Sequence, residues 1–166
     1  MPRSIRCFPE TSSADPSLLA DAAERAAYFT STAKARMDRN AIIRQYFKSW
    51  IAKDRSVIDR HFSAAIEYVE SYGPVYHRLT EVQQWFDDWN QKGRVLEWRI
   101  DRIATVENTC FVEWFFSCDY AGSSGCFDGV SIIEFDAEDK ISRIKEYQSK
   151  HEHHAPYGAR RSDERS

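Results

Sequence analysis

The carboxyl-terminal half of the chain alternates between apolar and polar residues over four long segments. These segments are Val95–Thr105, Thr109–Tyr120, Cys126–Asp136 and Lys140–Ser149. A period of two predicts β-strands, because successive side chains of a strand point to opposite faces. Connections as short as those between these segments join neighbouring strands in an antiparallel meander. Strands of this length also require a sheet that bends or twists strongly.

The amino-terminal half has helical periodicity instead. A helix capped by Asn40 is predicted from apolar residues at helical spacing. These residues are Ile43, Phe47, Trp50 and Ile51. A short helix is predicted at Ser56–Phe62, and another from Thr80 to near Gly93, while residues 64–76 predict a strand, a turn and a second short strand. Helices followed by one meander indicate an α+β domain, with helices packed on one face of a strongly curved antiparallel sheet that encloses a pocket.

The two ends of the chain differ from this domain. Residues 1–38 predict a tail and an accessory amphipathic helix from about Pro16 to Met37, and residues 158–166 predict a disordered polar tail. Residues 39–157 then form the single domain that a chain of 166 residues suits. The first residues lack the apolar core of a secretory signal, so we expect a cytoplasmic protein.

Composition excludes several classes of partner. The net charge is −3 with both signs interspersed, so we expect no nucleic-acid interface. No apolar run is long enough to cross a bilayer, so we expect no membrane association. Aromatic residues reach 14%, which is typical of a thick core or an aromatic-lined cavity.

Metal and cofactor sites are not expected either. The four cysteines form no CxxC pair, and the HEHH run at 151–154 lies in an exposed tail without a second ligand cluster. Cys118 and Cys126 flank the turn predicted at Ala121–Gly125, although spacing alone does not predict a disulfide. Phosphate-binding, zinc-protease and α/β-hydrolase motifs are absent from the sequence.

Several stretches resemble the SnoaL-like members of the NTF2-like superfamily. They are YVESYGPVY at 68–76, VQQWFDDW at 82–89, VLEW at 95–98, VEWFF at 112–116, FDGVSIIEF at 127–135 and KISRIKEYQSKHEHHAPY at 140–157. The resemblance implies a cone-like fold around a small-molecule pocket. It specifies the chemistry poorly, because the superfamily includes polyketide cyclases, ketosteroid isomerases, dehydratases and epoxide hydrolases as well as proteins without catalysis.

Glu70 is the first candidate catalytic residue. Strand alternation places three apolar or aromatic residues on its face, namely Ile66, Tyr68 and Tyr72, of which the two tyrosines are candidates for ligand contact. A carboxyl group in such surroundings holds its proton more tightly, which suits a general acid or base. The alternative is a structural glutamate paired with a buried Arg or Trp N–H.

Glu146 lies on the last strand in phase with Ile144 and Gln148. The fold implied by the resemblance sets the last strand beside the first, so Glu146 and Glu70 are expected to be neighbours. Two close carboxyl groups share a proton and provide one acid and one base. The alternative is a solvent-facing Glu146 paired with a lysine.

Trp98 and Trp114 are candidate pocket walls. If both rings point inward, the preceding Glu97 and Glu113 point outward, because adjacent strand residues face opposite ways. A plain core position is the alternative for each ring.

Ser131 is a candidate for ligand contact. It is in phase with Phe127 and Phe135, so its hydroxyl faces the predicted pocket unless it bonds to backbone. The nearby Gly129 predicts a bulge where the strand bends.

The resulting hypothesis is a cofactor-free pocket protein for a small apolar molecule. As an enzyme it would be an isomerase, cyclase or dehydratase in which Glu70 is the base, and Tyr68 and Trp98 shape the site and donate hydrogen bonds to an enolate-like oxygen. The alternative is a non-catalytic ligand-binding or dimeric interaction module. A homodimer through the outer sheet face is expected, because apolar residues occupy both faces of one strand. They are Val112, Trp114 and Phe116 on one face and Phe111 and Phe115 on the other.

Overall fold

The computed structural model describes residues 39–157. In this part, α1 covers residues 39–52, α2 is Ser56–His61 and α3 is Leu79–Lys92. The strands are β1 Phe62–Val69, β2 Val75–Tyr76, β3 Gly93–Val106, β4 Thr109–Tyr120, β5 Ser123–Phe135 and β6 Ile141–Lys150. The predicted tail and accessory helix of residues 1–38, and the predicted tail of residues 158–166, lie outside the described residues.

The strands form one six-stranded sheet in the order β2-β1-β6-β5-β4-β3. The predicted α+β architecture and the meander from β3 to β6 are confirmed. The expectation of a wholly antiparallel sheet is wrong at one pair, because β1 runs parallel to β6. No short turn joins these two strands, so their relative direction is free of the constraint that makes hairpins antiparallel.

Register shifts explain how such long strands curve. The pairing of β3 with β4 shifts twice, between Val95 and Glu97 and between Ile100 and Arg102. Each extra residue bends the strand and increases its twist. In a regular strand, residues three positions apart would face opposite sides of the sheet. Because of the first shift, Val95 and Trp98 are both buried on the same side.

The β4–β5 turn is shorter than the sequence predicted. It consists of Ala121 and Gly122, both with positive φ, which is the requirement of a tight two-residue hairpin turn. With this register Cys118 lies opposite Gly125 rather than opposite Cys126. The two cysteines are therefore free thiols on opposite faces of the sheet.

The core lies between the helices and the inner face of the sheet. Helix α1 contributes a buried stripe of Ile43, Tyr46, Phe47 and Trp50. Ile51, which was predicted to be buried, is 43% exposed because Tyr46 completes the stripe instead. Within residues 39–157, no helix has the length and apolar character needed to cross a membrane.

A candidate acid–base site

A cavity of about 540 Å³ opens between α3 and the inner face of the sheet. Its wall is mostly aromatic. The aromatic lining residues are Trp50, Tyr68, Tyr72, Tyr76, Trp85, Trp89, Trp98, Trp114, Phe116, Tyr120 and Phe127. The polar side chains that line it are Glu70, Glu146, Ser71, Asp88, Lys92, Cys118 and Gln148. A mostly apolar concavity with a few polar groups is typical of small-molecule sites.

Two tryptophans form the inner wall on the sheet side. The rings of Trp98 and Trp114 lie 5.8 Å apart and almost perpendicular, which is a favourable edge-to-face arrangement. Glu97 and Glu113 point outward, where they pair with Arg99 and Arg102. Both rings therefore point into the cavity, and the preceding glutamates face the opposite way, as strand alternation requires.

Glu146 is held by a hydrogen-bond network. Its side chain is 7% exposed, and its Oε1 accepts hydrogen bonds of 2.9 Å from the hydroxyls of Tyr68 and Ser131. The indole Nε1 of Trp114 donates to Ser131 Oγ at 2.8 Å. The Tyr46 hydroxyl lies 2.9 Å from that of Tyr68, and it must donate there because Tyr68 gives its proton to Glu146.

Strand register explains why this network forms. Glu146 on β6 is the direct cross-strand partner of Ser131 on β5, and Tyr68 on β1 pairs with Ile144. Directly opposed residues on one sheet face are close enough for side-chain contact. Inward-facing residues of three adjacent strands therefore converge on one carboxyl group, and the alternative of a solvent-facing Glu146 is wrong.

Glu70 lies at the mouth of the cavity, just past the end of β1. Its backbone N–H donates to Pro74 O at 2.9 Å, and its carbonyl accepts from Gly73 N–H at 3.3 Å, which closes a tight turn. The side chain is 8% exposed, and the nearby backbone N–H of Ser71 opposes the rise of its pKa. Among the described residues, no Arg, Lys or His forms an ion pair with Glu70, so the alternative of a structural pair with Arg finds no support there.

The two carboxyl groups hold protons unusually tightly. Burial, and then the charge of Glu146, raises the pKa of Glu70 to about 9. Burial raises the pKa of Glu146 to about 7, against the opposing effect of the hydrogen bonds from Tyr68 and Ser131. The donors stabilise the ionised form of Glu146, so Glu146 loses its proton before Glu70 does.

Of the candidate ligand-contact residues, Ser131 lies outside the cavity lining and Tyr72 is more exposed than its strand position predicted. Ser131 is fully buried and does not line the cavity, because its hydroxyl is engaged by Trp114 and Glu146. Tyr72 lines the mouth of the cavity but is 61% exposed, because β1 ends at Val69 and Tyr72 lies in the turn. Tyr68 lines the cavity, although its only proton is donated to Glu146.

Gly129 does not mark a bulge, contrary to the prediction. Its pairing with Trp114 is regular, and a Cβ added there would lie 2.2 Å from Cη2 of that indole. The glycine is therefore required for close approach of the Trp114 ring, which in turn donates to Ser131.

Sequence reasoning missed the contribution of α3. Trp85 and Trp89 line the cavity together with Asp88. Trp85 and Trp89 are four residues apart, so they share a helix face, and this spacing was the available signal. Among residues 39–157, no group of three or more His, Cys, Asp or Glu side chains is arranged to hold a metal ion.

Comparison with known proteins identifies relatives by family and by fold. The family model of the SnoaL-like domain matches residues 43–144. No curated protein matches the chain. Among solved structures, an LEH-like epoxide hydrolase from M. tuberculosis is similar with a TM-score of 0.62 and 12% identity, covering 68% of this chain and 84% of that chain.

Two further structures have the same fold. An NTF-2 like protein of unknown function from Burkholderia xenovorans has a TM-score of 0.59 and 18% identity, covering 73% of this chain and 89% of its own. A hypothetical protein from Catenulispora acidiphila with a ketosteroid isomerase-like fold, solved with trimethylamine, has a TM-score of 0.58 and 13% identity, covering 64% and 83%. At these identities the likeness shows the fold alone.

Proposed function

Since this chain belongs to the family of SnoaL-like domains, we propose that its cavity binds a small apolar molecule and catalyses proton transfer on it. Glu146 is the general base and Glu70 the general acid. No cofactor is required for this chemistry, because the protons move between the ligand and the two side chains.

The pair of unequal buried carboxyl groups carries this proposal. Both line the cavity, and among the described residues no Arg, Lys or His forms an ion pair with either one. Their environments separate their pKa values, with Glu146 below Glu70. Near neutral pH the pair therefore holds one carboxylate and one carboxylic acid, which is the combination that proton transfer needs.

The hydrogen bonds of Glu146 suggest how the transfer proceeds. Oε1 accepts both donors, so Oε2 is the oxygen that takes a proton from a ligand C–H group. The electron pair left on carbon moves to an adjacent carbonyl oxygen, which receives the proton of Glu70. These roles reverse the assignment expected from the sequence, in which Glu70 is the base.

The aromatic wall of the cavity binds the apolar part of the ligand and excludes water. Trp98 and Trp114 offer apolar surfaces for a carbon skeleton and keep water away from the carboxyl groups. One structural neighbour is an epoxide hydrolase, which supports an acid–base reaction within this fold.

The test is deuterium exchange into a panel of apolar ketones in D₂O, followed by mass spectrometry. Exchange reports proton abstraction from carbon before a natural substrate is known. We expect the wild-type protein to accelerate exchange in at least one ketone, and Glu146→Gln to lower this rate by roughly 10²–10⁴-fold. Glu113→Gln, on the outer face, is the matched control and should keep the wild-type rate.

The competing function is a ligand-binding or interaction module without catalysis. Binding of the ketones by the wild-type protein without any exchange would refute the proposal and favour that module. Equal exchange by wild type and Glu146→Gln would also refute it.

The homodimer is proposed on the basis of the outer sheet face. Phe111, Val130 and Tyr147 are 40%, 36% and 50% exposed there. Phe115 is covered by its own chain, because Arg99 lies 5.0 Å from its ring and His151 lies 4.6 Å away. A second copy would bury the exposed group, and light scattering should then give twice the chain mass. A monomer mass at micromolar concentration would refute the dimer.

A further inference from the structure

We propose that the mouth of the cavity recognises a positive charge, so that the ligand is an apolar molecule carrying a quaternary or protonated amine. This inference rests on the ligand-binding role proposed above and narrows it. The amine lies against the aromatic faces at the mouth, and the apolar body lies inside.

Charge is the first argument. The carboxyl groups that line the cavity are Glu70, Glu146 and Asp88, whereas Lys92 is the one cation among the described lining residues. Asp88 has no ion-pair partner in the described part of the chain, unlike its neighbour Asp87, which pairs with Arg55. Glu70 holds its proton near neutral pH, so the net negative charge of the cavity comes from Asp88 and Glu146 against the one positive charge of Lys92.

Glu70 lines the cavity together with the aromatic side chains of Tyr72 and Tyr76. Its side chain is more than nine-tenths buried and lines the cavity without a cationic partner. Its protonated form carries no charge near neutral pH, so its carbonyl oxygen can accept a hydrogen bond from a protonated amine without an ion pair.

The aromatic faces are the second argument. Tyr76 stacks on Trp85 with centroids 5.0 Å apart, so one face of each ring is covered, whereas Tyr72 is 61% exposed and also lines the cavity. The face of an indole or phenol ring attracts a cation, and tryptophan does so best. Aromatic faces combined with carboxyl groups recognise an alkylammonium group better than a neutral group of the same shape.

The surface next to the mouth of the cavity also carries aromatic and acidic side chains. A second groove of about 340 Å³ shares Tyr76, Trp85 and Asp88 with the main cavity and adds Glu81 and Gln84. An amine that enters the cavity thus meets carboxyl groups along its path, which favours association of a cation over an anion.

Two probes of equal shape test the inference. Phenyltrimethylammonium carries a positive charge, and tert-butylbenzene is its neutral isostere. Quenching of tryptophan fluorescence measures the affinity of each, because tryptophans line the cavity. We expect the cation to bind roughly ten-fold tighter than the isostere.

Variants at the mouth locate the effect. Asp88→Asn should weaken binding of the cation by about three-fold at low salt and leave the isostere unchanged. Trp85→Phe should also weaken the cation more than the isostere. Asp87→Asn is the matched control, since it removes the same charge from the same helix outside the cavity, and it should have little effect.

Three results would overturn the inference. One is equal or tighter binding of the isostere, another is an equal effect of Asp87→Asn and Asp88→Asn, and the last is no binding of the cation up to about 1 mM. The proposed function fails separately: neutral ketones that exchange deuterium would preserve it without the cation site. A bound cation without any exchange in the ketone panel would preserve the site without the catalysis.

Discussion

The two faces of the sheet place the same acid in opposite surroundings. On the outer face, Arg143 binds Glu67 at 2.8 Å and Glu134 at 3.0 Å, and its hydrogen bond holds the pKa of Glu67 below the usual range. On the inner face, burial raises the pKa of Glu70 and Glu146, and no described cation compensates either one.

This difference separates structural carboxyl groups from chemical ones. An exposed carboxylate beside arginine stays ionised and contributes little beyond a weak ion pair. Burial without a nearby cation destabilises the ionised form of a carboxyl group. Here, two such groups line a cavity. Such perturbed groups in a concave site are typical of functional residues.

The largest expected effect comes from breaking the support of the inner face. Gly129→Ala forces a Cβ to within 2.2 Å of Trp114 Cη2 and 2.6 Å of the Tyr147 carbonyl. Because neither the indole nor the backbone yields easily, we expect a loss of about 3 kcal/mol in the free energy of unfolding. Urea denaturation measures it.

Gly125→Ala on the same strand is the control for that variant. A Cβ at Gly125 meets no atom within 4 Å. Its effect should stay within about 0.5 kcal/mol. Equal losses of unfolding free energy in the two alanine variants would show that the packing of the Trp114 ring does not require a glycine at position 129.

The next effect is a dependence of stability on pH that belongs to the inner face. Glu70 and Glu146 have folded-state pKa values of about 9 and about 7, above the ordinary 4.5. From about the ordinary pKa of 4.5 up to these folded-state pKa values, the folded state binds more protons than the unfolded state. The free energy of unfolding therefore falls as pH rises through this range. We expect a loss on the order of a few kcal/mol from about pH 5 to about pH 9.

Glutamine variants test the origin of this slope in thermal melts. Glu70→Gln and Glu146→Gln should each flatten the pH dependence and stabilise the protein near pH 9, whereas Glu113→Gln should keep the wild-type slope. A loss of several kcal/mol in Glu70→Gln at neutral pH would instead indicate a structural ion pair.

A smaller effect is expected on the outer face. Arg143→Met removes the partner of both Glu67 and Glu134. Because the three groups are partly exposed, the expected loss is about 1 kcal/mol, and it should shrink at high salt. Chemical denaturation at two salt concentrations measures both. Arg143→Lys should recover part of the loss, and a salt-independent loss would contradict the surface character of the cluster.

The smallest effect concerns Arg102 and Glu113. Their 2.8 Å contact joins side chains that are 75% and 49% exposed. A double-mutant cycle with Arg102→Met and Glu113→Gln should give a coupling energy below about 0.5 kcal/mol. A coupling energy well above about 1 kcal/mol would contradict the claim that ion pairs on the outer face contribute little to stability.

Local patterns predicted most of the fold. Alternation identified β3 to β6 and set Trp98 and Trp114 on the opposite face from Glu97 and Glu113, because a strand has only two faces. The direction of β1 against β6 did not follow, since strands far apart in sequence pair through non-local contacts that no turn dictates.

The sequence predicted that two carboxyl groups lie close together, but not which groups surround them. The expectation that Glu70 and Glu146 are neighbours came from the resemblance, and both groups line one cavity. The hydrogen bond from Ser131 to Glu146 depends on the register of β5 against β6. A shift of one residue in this register would turn the Ser131 side chain to the outer face. Trp85 was missed because cavity-lining and core positions on a helix have the same periodicity.

The central claim is that Glu146 and Glu70 titrate as a coupled pair near and above neutral pH. Carbon-13 NMR of glutamate carboxyl groups across a pH series tests it directly, with the two Gln variants to assign the signals. We expect Glu146 to titrate first, Glu70 later, and Glu67 below the ordinary range. In Glu146→Gln, the pKa of Glu70 should fall but stay raised, because burial persists. Ordinary titration of both groups near pH 4.5 would contradict the account.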